Sequence, residues 1–362
     1  MGVNPVDQKF KVLSIHGFSN GEYFLMPAFI SVIGSMSFWW RDVISEGKLN
    51  TITFTLFSGL ILKIVRAISK EEISLSLDTR IATQGDINDD ELGYYLAGLL
   101  EGDGHISIPA SGNSTLNRVL NPRIIFTSHI NNLPLYAYIQ SKLNGAGRFQ
   151  KVSDTVVRYI IGDIQSINLI VDLIHGKLRT PKNVTYNKLI EFMNNKSGRC
   201  IEQSKLDRSN LSSNSWLAGF TEADGNFYIK IIEAKDKSDT RKRSVSENIS
   251  LVFRLDQRAY DKPTQSSMLP VMKEIAEFFS VDLKTYTTNS AHEVLSVSVT
   301  SLSKLSTVVN YFSTYSMLGI KHSDYLDWET VYKMFLSKEH LTETGREKIR
   351  LVKSGMNSKR II

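Results

Sequence analysis

The sequence has little cysteine: Cys200 is the single one in 362 residues. It therefore has no internal disulfide and no zinc site of the cysteine-rich kind, which excludes a small stapled secreted scaffold. Charge is also modest, at 22% of residues against 42% hydrophobic, which excludes wholesale disorder. The formal net charge is +6, and residues 1–88 contribute none of it, since their eight basic side chains are matched by eight acidic ones. The whole basic surplus lies in residues 89–362. That is compatible with a polyanionic partner without specifying one. The length suits about two domains.

The front of the chain differs from the rest. Tyr23–Trp40 holds no charged residue in eighteen positions and ends in Trp39 and Trp40 beside Arg41 and Asp42. Such a run just reaches a bilayer span with an interfacial aromatic belt, or else forms a buried helix of a soluble domain. A second apolar stretch, Ile52–Leu62, is too short to span. Glu22 abuts the first run and no small-residue cleavage site follows, so the usual signal peptide does not fit. The residues Ile15–Leu25 followed by Trp39–Gly47 resemble a stretch of cytochrome c oxidase subunit 3, too short a piece to carry oxidase function.

The body repeats itself. Leu96-Ala97-Gly98-Leu99-Leu100-Glu101-Gly102-Asp103-Gly104 parallels Leu217-Ala218-Gly219-Phe220-Thr221-Glu222-Ala223-Asp224-Gly225, each copy preceded by an aromatic, Tyr95 or Trp216. Downstream, each half shows a strand (Arg123–Ser128; Ser250–Leu255) and a helix-like run (Leu133–Leu143; Met268–Phe279). Two further strands follow (Arg148–Val152 and Thr155–Ile161; Leu283–Thr287 and Val294–Thr300), then an amphipathic helix (Ile164–Ile174; Leu302–Phe312). Each half then reaches a lysine with a tyrosine four residues on, Lys182/Tyr186 and Lys321/Tyr325. The unit is αββαββα, twice. Segment boundaries fall at 1–48 (membrane-like), 49–88 (linker or helical leader), 89–196 (first domain), 197–210 (polar linker) and 211–362 (second domain with tail).

Small residues inside the two motif helices, Ala97-Gly98 and Ala218-Gly219, allow their backbones to approach closely. Side by side, the helices bring Asp103 and Asp224 together at two C-termini, where the macrodipole and each other's charge oppose ionisation. A divalent cation offsets both, and oxygen ligands suit Mg²⁺. Two carboxylates gathering a hard cation beside basic strands suit metal-assisted phosphodiester hydrolysis. A single Asp-Gly after a helix is ordinarily a stop and turn, but two matched copies are not.

The paired motifs resemble the LAGLIDADG homing endonucleases in their single-chain, double-motif form, over about Asp89–Lys359. The resemblance implies an α+β fold of two pseudo-symmetric αββαββα domains with antiparallel saddle-shaped sheets. It places the catalytic acids at Asp103 and Asp224, and metal-holding carbonyls at Gly102 and Ala223. Lys182 and Lys321 resemble the basic residue near the scissile phosphates, with a solvated helix-start lysine as the plainer alternative. Gln257 looks like the strand-end residue that holds solvent, and the first half departs from it with Ser128 or His129. Glu101 and Glu222 read as helix-end structural residues. The sheets are implied to lie in adjacent major grooves of double-stranded DNA. Candidate DNA-facing residues are Ser107, Arg123, Arg148, Lys151, Arg158, Lys230, Arg254 and Arg258, each with ordinary surface as the alternative. The loop cluster Lys235–Arg243 and the tail (Lys348, Arg350, Lys353, Lys359, Arg360) are candidate phosphate contacts.

The resulting expectation is a mitochondrial, intron-encoded, Mg²⁺-dependent endonuclease, monomeric about an internal pseudo-twofold. Its front would derive from the upstream exon and tether it to the inner membrane if retained. The alternative is a maturase that binds intron RNA and assists splicing, alone or as a second role.

Overall fold

The computed structural model describes residues 87–110, 120–235, 237, 244, 246–357 and 360. The expected membrane-like segment and nearly all of the leader lie outside the described residues, as does most of the basic loop at 235–243. Among the described residues no helix is long and apolar enough to cross a membrane.

The first half runs α1 (Asp89–Gly102), β1 (Gly104–Ser107), β2 (Arg123–His129), α2 (Leu133–Lys142), β3 (Arg148–Lys151), β4 (Val156–Ile161), α3 (Ile164–Ile174) and α4 (Lys182–Ser197). The second runs α5 (Trp216–Asp224), β5 (Gly225–Ile232), β6 (Asn248–Arg258), α6 (Leu269–Phe278), β7 (Lys284–Thr287), β8 (Glu293–Val299), α7 (Leu302–Thr314) and α8 (Ile320–Leu336). The last helix among the described residues is α9 (Glu343–Ser354). The αββαββα unit is thus present twice, each copy followed by one more helix that starts at or beside the repeated lysine. The period of the sequence does not announce α4, whose few apolar positions are diluted by asparagine and lysine.

Both sheets are fully antiparallel, in the order β1-β2-β4-β3 and β5-β6-β8-β7. Their registers match: Gly104 pairs with Phe126 and Gly225 with Leu255, so Phe126 and Leu255 occupy equivalent positions. On the helix side, alternate residues form the core, with Phe126, Tyr136 and Tyr159 in one half and Phe227, Phe253, Phe279, Phe312 and Trp328 in the other, all buried.

The halves meet through α1 and α5. Asn88 caps α1, its side chain accepting from the Glu91 N–H at 2.9 Å, and three acids in the first turn suit the dipole. Midway, a Cβ on Gly98 would collide with the Trp216 carbonyl, and one on Gly219 with the Tyr95 carbonyl. The crossing is therefore backbone against backbone. Two reciprocal bonds lock it: Tyr95 Oη donates to Glu222 at 3.2 Å, and Trp216 Nε1 to Glu101 at 2.6 Å.

The segment between the halves is tied down along its length. Asn194 exchanges two hydrogen bonds with Ile201, and Asn187 does the same with Ser204. Arg179, 1% exposed, pairs with Asp207 of this segment at 2.6 Å and with Glu274 of α6 at 2.8 Å, and lies over the Trp216 ring. One guanidinium thus joins the first half, the connecting segment and the second half.

Gly219→Ala drives a methyl into a backbone carbonyl, and we expect a loss near the top of about 1–3 kcal/mol in urea unfolding. Arg179→Met leaves two carboxylates without their cation, and the same measurement should show a loss of about 3–5 kcal/mol.

Candidate active site

Asp103 and Asp224 emerge at the adjoining C-terminal ends of α1 and α5. A Cβ on Gly102 would meet the Ala223 Cβ and stand 2.9 Å from Asp224 Oδ2, so the carboxylate sits directly over the neighbouring helix end. Both acids are pushed up from the ordinary carboxylate range, chiefly by burial. Asp224 reaches about 6, with the negative charge of Asp103 as the next cause. Gln257 Nε2 donates a hydrogen bond to Asp224 Oδ2.

The two lysines stand behind the acids. Lys182 Nζ donates to the carbonyls of Leu100, Glu101 and Gly104 at 2.7–2.9 Å, which satisfies the frayed end of α1. Lys321 Nζ does the same for α5 through Thr221 and Ala223 at 3.0 and 3.1 Å. Burial pulls both ammonium groups down from the usual lysine range, while Asp103 and Asp224 act on both in the opposite direction. Neither lysine is a solvated helix-start residue.

Glu101 and Glu222 are buried organisers. Glu101 accepts from the Arg179 and Thr180 backbone N–H groups, from Thr180 Oγ1 and from Trp216. Glu222 accepts from the Gly319 N–H at 3.0 Å and from Tyr95. Their carboxylates are spent on loops and on the opposite helix, leaving Asp103 and Asp224 as the acids that face outward.

The centre holds four carboxylates against two ammonium groups, an excess of negative charge that a divalent cation would balance. Among the described residues no cluster of three or more His, Cys, Asp or Glu side chains gathers as a metal site. A cation here would take two carboxylates and backbone carbonyls from the protein, with water and substrate oxygens completing its shell. That donor set fits Mg²⁺, which keeps several waters. The Ala223 carbonyl already accepts from Lys321, so it has one lone pair left to offer, whereas Gly102 accepts no hydrogen bond among the described residues.

The LAGLIDADG endonuclease pattern matches residues 96–193 and 217–332. The chain belongs to the LAGLIDADG endonuclease family. It is 30% identical over 268 residues to the intron-encoded DNA endonuclease aI3 of Saccharomyces cerevisiae, covering 67% of this chain and 63% of that one. It therefore spans less than two thirds of that relative's length. A solved structure of the LAGLIDADG homing endonuclease I-GzeII in complex with its DNA target superposes with a TM-score of 0.58. That likeness, at 20% identity over 76% of this chain and 100% of the other, is one of fold. A separate, short similarity, 44% over 62 residues, links 17% of this chain to 23% of cytochrome c oxidase subunit 3 of Pyricularia grisea.

The LAGLIDADG sheets sort the candidate contact residues by parity. In the first half, Ser107 pairs with Arg123, placing both on the face away from the helices. Arg158 and Arg148 share that face, together with His105, Thr127 and Gln150. Lys151 does not. It has the parity of half-buried Phe149, points to the helix side and pairs with Asp154 at 2.7 Å, which corrects its assignment to the DNA-facing set. In the second half, Lys230, Arg254 and Arg258 all lie on the outward face. Register also makes Ser128, not His129, the counterpart of Gln257. Ser128 is held by Asn132 Nδ2 at 3.0 Å and makes no bond to Asp103.

Three of the five tail bases are already paired: Arg350 with Glu247 and Glu233, which pins α9 to the body, Arg360 with Asp324 and Asp327 of α8, and Lys348 with Glu339 in the turn before α9. Lys359 lies outside the described residues. Sequence reasoning missed Arg179, Asp261 and Tyr286. Asp261 lines a 380 Å³ cleft with Lys182, Asp224 and Gln257, and only the fold brings it there.

Asp224 carries a folded-state value of about 6 against an ordinary 3.8. Ionising it in the fold therefore costs nothing below about pH 4 and its full amount above about pH 6. Asp224→Asn should stabilise the cation-free protein by about 2–3 kcal/mol at pH 8, the gain shrinking as pH falls from 6 to 4. Thermal melts with and without Mg²⁺ check this, since the cation should narrow the gap.

Proposed function

We propose that this LAGLIDADG chain is a site-specific homing endonuclease that cuts both strands of a long double-stranded DNA target by Mg²⁺-assisted hydrolysis. The observation that carries the reading is the pair Asp103 and Asp224, brought together by backbone-packed helices and raised together by burial. Such a pair is an unstable arrangement without a cation and a substrate.

In this reading Asp103 and Asp224 hold the cation with the Gly102 carbonyl and the remaining lone pair of Ala223. The bound cation supplies Lewis-acid stabilisation of the pentavalent phosphate and a lowered pKa for attacking water. Gln257 fixes the orientation of the Asp224 carboxylate. Lys182 and Lys321 hold the helix ends in place and set a positive potential behind the scissile phosphates. The outward residues Ser107, Arg123, Arg148, Arg158, Lys230, Arg254 and Arg258 meet the DNA grooves and backbone.

The likeness of the front of the chain to an oxidase subunit supports a reading frame continued from an upstream exon into an intron, and hence a mitochondrial setting. We assign residues 1–48 to that exon and 49–88 to a leader. Residues 89–196 and 211–362 form the two half-site readers, joined by 197–210 within one monomer. Cleavage then promotes mobility of the intron.

The test is cleavage of the uninterrupted oxidase subunit 3 gene by the full chain. Wild type should cut both strands with Mg²⁺ and not with EDTA. Asp103→Asn with Asp224→Asn should slow cleavage at least ~100-fold. Equal behaviour of wild type and the double variant on DNA, with splicing of the intron restored by both, would replace this reading with a maturase.

A further inference from the structure

On the outward face of the second sheet, Arg254 is held ready for a partner. Asp256 Oδ1 accepts from its Nε at 2.9 Å, and the Tyr286 ring lies under the guanidinium, 5.4 Å from centroid to Cζ. Tyr286 Oη donates in turn to Asp256 Oδ2 at 3.1 Å. The carboxylate is thus fixed from two sides, and it fixes the guanidinium plane through Nε. Among the described residues neither terminal amino group of Arg254 is committed to a carboxylate. A guanidinium clamped at Nε with its two outer nitrogens presented is the donor pair that matches O6 and N7 of guanine in the major groove.

Its place on the sheet is close to the reacting centre. Arg254 is paired with Asn226, two residues beyond Asp224, and with Ser298 on the other side. A cleft of 680 Å³ contains Asp224, Asn226, Arg254 and Asp256 in its wall. Strand rise and spacing put the Arg254 backbone about 8 Å from that of Asp224, or two to three base steps along a strand.

The first half has no such device. Register makes Ile125 the counterpart of Arg254, Ile160 that of Ser298 and Thr127 that of Asp256. The two isoleucines offer no hydrogen bond to a base edge and suit at most a thymine methyl, while the donors of that row, His105 and Arg148, stand at its two ends. The two halves therefore present different groups at the same distance from the centre.

We propose that Arg254, oriented by Asp256 and Tyr286, reads a guanine within about four base pairs of the cleavage centre in the second half-site only. The proposal rests on the endonuclease reading above. It is tested by selecting bound duplexes from a randomised pool with the full chain, Ca²⁺ replacing Mg²⁺ to hold back cleavage. Wild type should enrich one near-central guanine by on the order of 10- to 100-fold, with none demanded at the symmetric position. Arg254→Gln should change that single preference towards adenine, and Arg254→Ala should flatten it, both leaving the rest of the site intact. Tyr286→Phe should weaken it. If Arg254→Ala selects the same bases as wild type, the assignment fails while the endonuclease reading stands. If wild type enriches no sequence, both fail.

Discussion

Two glycines, Gly98 and Gly219, let the backbones of α1 and α5 touch, and most of the remaining structure is arranged around that contact. The carbonyls of Trp216 and Tyr95 occupy the space where side chains would be. So close an approach leaves the helix pair few ways to slide or rotate, because the ridges that usually set a crossing have been removed. The reciprocal bonds from Tyr95 to Glu222 and from Trp216 to Glu101 then fix the register, each half holding a carboxylate of the other. Helix ends brought so near concentrate two negative dipole ends, and the protein meets that cost with an ammonium group under each. Lys182 and Lys321 are therefore structural before they are anything else, and their proximity to the acids follows from the task of capping.

The same constraint explains why the acids are poised as they are. Both oxygens of Glu101 and Oε2 of Glu222 accept hydrogen bonds, including from backbone N–H groups of the segments that lead into α4 and α8. Asp103 and Asp224 lie two residues further along: buried enough to be raised, yet short of donors. Among the described residues, Gln257 alone donates to one of them. The division of labour between the two acidic positions of each motif is thus a matter of which carboxylate has donors and which lacks them.

Much of this was legible from residue order. Alternation in Arg123–Ser128 or Val294–Thr300 announces strands, and the duplicated nine-residue motif announces both the helix pair and the acids. What was not legible has physical causes. Helix α4 hides because asparagines, used to hold the connecting segment, interrupt its apolar stripe. Lys151 was misplaced because the face a residue takes depends on register, and one step of parity turns it over. The tail bases Arg350 and Arg360 read as candidate phosphate contacts because their partners, Glu247 and Asp324, are not their neighbours in sequence. Arg179 gave no signal at all, since three of its contacts exist only once both halves and the linker have met.

The capping lysines, the acids and the crossed hydrogen bonds recur in both halves, whereas the outward faces do not match. On the reading proposed above, a DNA duplex would present nearly equivalent phosphates to the two helix ends. Base sequence carries no such symmetry. The outward faces are accordingly free to differ, with Arg254 opposite Asn226 in one sheet and Ile125 opposite His105 in the other. The loop after β6 brings Tyr260 and Asp261 to the cleft beside Lys182, where the first half has only the short turn Ile130–Asn132. Gln257 against Ser128 extends this difference inward to the acids themselves. The inward difference is the costlier kind, because it leaves Asp103 without the hydrogen bond that steadies Asp224. The two strands of a target would therefore meet unequal centres, even though the frame that carries those centres is nearly the same on both sides.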